Sequence, residues 1–199
     1  MSTESAPAGP RNNALQSPGH AEDRTLLDVV KTLLANQFNA ALCTLNACID
    51  RCPESSWDAP VANLKFCQAV FHTLFFADYY LGPSDDKEAF RAQPFHRAHA
   101  EFFRDYEEFE DRAQTLLYDR PAIKLYVEHC RAKAAAAIGE ETAESLAAQC
   151  AFGRRAFSRA ELYVHNTRHV QHHAAQLSLR LRLDHGIDVP WVSSGWREL

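Results

Sequence analysis

The sequence predicts an all-α protein, a four-helix bundle with a long crossover connection between helices 2 and 3. Three observations carry that expectation. Only seven glycines occur among 199 residues, so long runs lack a helix breaker. Within those runs apolar residues recur at spacings of three and four, the period of an amphipathic helix. Four such segments are long, and the polar stretch 82–106 separates the second from the third, as in bundles that carry a crossover.

The segment 1–21, rich in Ser, Ala, Pro, Gly and Asn, reads as disordered. It lacks a positive region followed by an apolar core, so no secretory signal is expected. The rest, 22–199, reads as a single domain that includes a C-terminal tail. From Arg24 to about Arg51, Leu26, Val30, Leu33, Leu34, Phe38, Ala41 and Leu45 trace a wide apolar stripe, ended by Pro53 and Ser55-Ser56. The second helix, about Val61 to Leu81, is the most apolar of the set, and His72 sits within it in line with Ala69, Phe76 and Tyr79. Gly82-Pro83-Ser84 closes it. A short helical piece is expected near Phe102–Leu117. Asp119 as cap and Pro121 in the first turn open a third long helix that runs to Gly139. Thr142–Gln149 forms a short turn or helix. The fourth long helix opens at Ser158, with Glu161 three residues on, and closes at Gly186. Trp191 and Trp196, in the tail, are expected to pack against the bundle.

Composition excludes several function classes. Hydrophobic content of 46% and charged content of 24% are ordinary for a globular chain. A net charge of −5 without a basic cluster argues against a nucleic-acid partner. No apolar run approaches the roughly 20 residues of a membrane helix. Six scattered cysteines do not form a secreted disulfide framework, so a reduced, cytoplasmic setting is expected.

The chemistry concentrates in the fourth helix, which holds His165, His169, His172 and His173 of the ten histidines. His169 and His173 stand four apart, one turn above the other, a spacing at which two imidazoles share one metal ion. His165 and Gln176 extend the stripe in both directions. His72, in the helix expected to face this one, supplies a third ligand. Singly, His72 on an apolar face is more often a hydrogen-bonded core residue than a ligand, and His165 and His172 read as solvated groups; the combination points to a site. His-Glu-x-x-His and Glu-x-x-His are absent, which removes zincin and ferritin-like sites; Cys-x-x-Cys is missing too, and Cys48 and Cys52, four apart, read as packing thiols before ligands. No nucleophile elbow is present.

His72, then His169-x-x-His172-His173-x-x-Gln176-Leu177, then Leu181-Arg182-Leu183-x-x-Gly186-Ile187, resembles the DinB-like superfamily of four-helix metalloproteins over most of Leu26 to Trp191. The resemblance implies a divalent metal ion held by His72, His169 and His173: zinc or nickel first, iron or manganese after. Members with known activity include S-transferases that use bacillithiol or mycothiol and a maleylpyruvate isomerase, and homodimers are common. A metal-dependent transferase that activates a low-molecular-weight thiol for attack on an electrophile is therefore expected, with His165 and Gln176 as candidates for orienting substrate or a ligand's second nitrogen and Tyr79 as a candidate hydrogen-bond donor at the mouth of the site. The alternatives are a non-catalytic metal-binding bundle, serving small-ligand binding or stress response, and a metal-assisted hydrolase. Ala174-Ala175 stands where members often have Arg-Gly, so the small residue is kept and the arginine is lost.

Overall fold

The structure is a computed structural model that describes residues 25–104, 106–153 and 156–198. The segment expected to be disordered, 1–21, lies outside these residues. The described chain is mostly helical. α1 (Leu26–Arg51) opens on a reciprocal cap: Thr25 Oγ1 accepts from Asp28 N at 3.2 Å, and Asp28 Oδ2 accepts from Thr25 N at 3.1 Å. A two-stranded hairpin follows, β1 (Pro60–Val61) against β2 (Leu64–Lys65), turning at Ala62 with φ 54°. The second long helix therefore starts at Phe66, not Val61. The left-handed turn at Ala62 folds Val61 and Leu64 into the hairpin instead of a first helical turn.

α2 (Phe66–Leu81) leads into the crossover, which is less irregular than its polar sequence suggests. It holds α3 (Lys87–Arg91), capped by the Asp86 carboxylate, and α4 (Pro94–Ala98), which begins on its proline. The helix expected near Phe102–Leu117 is reduced to one 3-10 turn, Glu107–Phe109. Tyr106, at φ 48°, breaks the path into it. The Glu107 carboxylate then takes the backbone N–H groups of Thr115 at 2.9 Å and Leu116 at 3.2 Å, so those donors never enter a helical ladder.

α5 (Arg120–Glu140) starts where Asp119 accepts from Ala122 N at 2.7 Å, and α6 (Ala143–Ala147) follows. α7 (Arg159–His185) is capped by Ser158, which accepts from Glu161 N at 3.2 Å, and stops at Gly186 with φ 66°. There Gly186 N donates to Arg182 O and Ile187 N to Leu181 O, a left-handed C-terminal cap.

The four long helices touch in a closed cycle: α1 with α7, α7 with α2, α2 with α5, and α5 with α1. Polar ties set their directions. Arg159, at the start of α7, donates to Leu81 O and Gly82 O at the end of α2, so these two helices run antiparallel. Lys124, early in α5, reaches Asn46 and Asp50 late in α1, so these are antiparallel as well. Phe38, Leu42, Leu45, Ile49, Leu74, Phe75, Ile123, Tyr126, Leu162 and Leu177 fill the interior. In the tail Val192 and Trp196 lie against Ala40 and Cys43 of α1. Trp191 does not pack as expected and is 73% exposed. No helix among the described residues is long and apolar enough to cross a membrane.

Candidate metal centre

α2 and α7 face each other with their apolar stripes inward, and the histidines stand at the edge of that seam. Val170, Ala174, Leu177 and Leu181 of α7 are buried, which leaves His169 and His173 half-buried beside them. His72 enters from α2, one turn before Phe76. The structure brings the three together: one ring nitrogen from each of His72, His169 and His173 lies within 4.8 Å of the others. The ring centroids are 5.7 Å (His72–His169), 5.0 Å (His72–His173) and 4.7 Å (His169–His173) apart.

The donor set fits a divalent ion on two grounds. Burial, reinforced by the neighbouring imidazoles, holds His169 down to about 3 and His173 down to about 4, so both are neutral near pH 7, as ligands must be. In addition, His169 Nδ1 is buried without a hydrogen-bond partner among the described residues, an unusual position for a ring nitrogen unless another group takes up its lone pair.

Other side chains orient the rings. His173 Nδ1 donates to Gln176 Oε1 at 3.1 Å, and Gln176 Nε2 donates on to His172 Nε2 at 3.0 Å. With Nδ1 protonated, His173 keeps a free lone pair at Nε2. His72 Nδ1 lies 2.6 Å from Glu108 Oε2, on the 3-10 turn of the crossover, and the other Glu108 oxygen accepts from Gln114 Nε2. The Glu108 side chain is 3% exposed, whereas that of His72 is 26% exposed, so the triad keeps a path to solvent. Nothing in the local sequence marks Glu108. It lies in a run of acids, and only the fold of the crossover carries it to His72.

No family model, curated protein or solved structure matches this chain. The geometry alone must carry the functional reading.

The remaining candidates sit around the triad in different ways. Gln176 touches His173 as above. His165 lies outside the group of three; its ring packs edge-on to Tyr80 at 5.1 Å and near Phe157 at 5.8 Å. Tyr79 does not stand at the mouth of the site. Its hydroxyl donates to Asp85 O at 2.7 Å, and its ring packs against Phe90, Phe109 and Phe152. The next residue takes that place: Tyr80 stands 6.1 Å from His169, and Phe76 edges onto both His72 and His169. On the opposite side of α2, buried Asp78 collects His96 Nε2 at 2.8 Å, Tyr126 Oη at 3.0 Å and Lys133 Nζ, and His129 Nε2 stands 3.5 Å away. This hub ties α4 of the crossover to α2 and α5.

Proposed function

We propose that this chain is a divalent-metal-binding four-helix bundle of the DinB-like type, and that its ion serves a transferase that activates a low-molecular-weight thiol for attack on an electrophile. The convergence of His72, His169 and His173 carries the reading. The closed cycle of long helices and the crossover from α2 to α5 support the bundle. Three uncharged imidazoles suit zinc or nickel, with iron or manganese as further occupants. Bound by these three histidines, an ion would keep its full charge, unlike one in a closed thiolate site, and would supply a lowered pKa to a thiol or water. The chain's own residues do the rest: Gln176 fixes the orientation of His173, while Phe76 and Tyr80 narrow the approach to His169. Homodimerisation and a cytoplasmic location belong to the same proposal.

The test is the metal content of protein purified without added metal, next to a His72→Ala/His169→Ala double variant. The expected result is about one ion per chain, lost in the variant while the helical circular dichroism is kept. No bound ion in the unaltered protein, even after challenge with zinc and nickel, would make the triad a packing cluster. With metal in place, saturable binding of a small thiol supports transfer; turnover with water alone would favour hydrolysis instead.

A further inference from the structure

The two glutamates at the turn of the crossover both have their side chains buried, and a chain rarely buries adjacent carboxylates without use for them. Glu107 is accounted for locally. It accepts from Thr115 N, Thr115 Oγ1, Leu116 N and Arg112 Nη1, which closes the loop 107–116 on itself. Glu108 is a different case. Its partners among the described residues are His72 Nδ1 and Gln114 Nε2, and no lysine or arginine joins them. Among the described residues, a carboxylate side chain at 3% exposure thus has no lysine or arginine bonded to it.

We infer that Glu108 is the positioning residue and counter-charge of the triad: it holds His72 as the Nδ1–H tautomer with Nε2 aimed inward, and its negative charge is balanced by a cation among the three imidazoles. The inference rests on the metal reading above and adds to it a residue outside the ligand set. A carboxylate behind a ligating imidazole fixes the ring and strengthens its donor nitrogen, and losing such a partner typically weakens metal binding by about 10- to 100-fold. The Glu107 clasp gives the arrangement its rigidity, since it fixes the backbone from which Glu108 projects.

The decisive variant is Glu108→Gln. It keeps the side chain's shape and an acceptor for His72 Nδ1. Its new NH2 also finds a partner, because Gln114 Oε1 is buried without one and a half-turn of that amide presents it. The readouts are zinc affinity by competition with a chelator, the visible spectrum of the cobalt(II) form, and the thermal midpoint of the metal-free protein. The expected outcome is zinc binding about 10- to 100-fold weaker, an altered cobalt spectrum, and a metal-free midpoint equal to or above that of the unaltered protein. A carboxylate that merely braces the loop would give the reverse pattern: a lower midpoint with unchanged affinity and spectrum, and that result overturns the inference. His72→Ala, run alongside, should abolish binding. If His72→Ala abolishes binding and Glu108→Gln leaves it untouched, the metal reading stands and the role of Glu108 falls. If the unaltered chain binds neither zinc nor cobalt, the metal reading itself fails and takes this inference with it.

Discussion

Asp78 shows how one side chain can set the charge balance of a whole region. Burial alone would push its carboxyl up. The contacts from His129 and His96 and the charge of Lys133 more than reverse that, holding it well below the usual carboxylate range. His96, packed between Phe90 and Phe103, is lowered by burial despite its hydrogen bond to Asp78. Both shifts act in the same direction on stability. Below about pH 6.5 the unfolded chain takes up a proton at His96 that the folded chain refuses, so stability falls as pH falls. Below about pH 4 the contribution of Asp78 is lost as well. The thermal midpoint of the metal-free protein should therefore decline from pH 7 to 5 and more steeply below pH 4. Asp78→Asn should cost about 3–5 kcal/mol at pH 7, the range for breaking a buried charged pair, and should flatten the lowest part of the profile. Equal slopes below pH 4 in the two proteins would show that Asp78 does not carry the acid limb. Neither Asp78 nor Glu108 announces itself in the sequence, because each is defined by partners from remote elements. His169 and His173 were legible because four residues of helix are enough to specify them.

Among the elements, those with local start and stop chemistry were legible and the others were not. Asp119, Ser158 and Gly186 act on backbone groups within a turn, so their helices begin and end where the residues say. The crossover misleads for the opposite reason. Its aromatic residues at helical spacing, Phe102, Tyr106 and Phe109, pack onto the core without a continuous helix, and the path is set by Glu107 reaching eight and nine residues along the chain. α2 has a further dependence on a distant residue. Arg159 donates to Tyr80 O, Leu81 O and Gly82 O, closing carbonyls that the end of α2 leaves open, while Glu141 and Tyr163 hold the guanidinium in place. Arg159→Ala should destabilise the protein by about 2–3 kcal/mol, since bonds to a charged donor are lost and the carbonyls are left half-buried. Denaturant unfolding would measure it. A change under about 0.5 kcal/mol, the range of an uninvolved surface substitution, would mean that water caps α2 equally well.

For the molecule as a whole, the all-helical class followed from period and from the scarcity of glycine, whereas the closed cycle of helices needed their tertiary ties to be seen. The interior is continuous from Phe38 to Leu181 and does not include the triad, which stands at its edge. On the proposed metal reading, stripping the ion should accordingly leave the fold in place. A chelator-treated sample should keep its helical circular dichroism and lose only the increment that binding adds, about 2.7 kcal/mol when free metal exceeds its dissociation constant a hundredfold. Unfolding on chelation would instead make the ion a structural one.

The triad draws on α2 and on α7, with about half of the chain between them. An ion that joins these two helices closes a very long loop, and the entropy of such a closure is met only once the intervening segments have packed. On the proposed metal reading, a chain that has made α2 but not α7 offers His72 without His169 and His173. The triad would then take up an ion only after α7 has docked beside α2, and a copy truncated before His169 should bind none there.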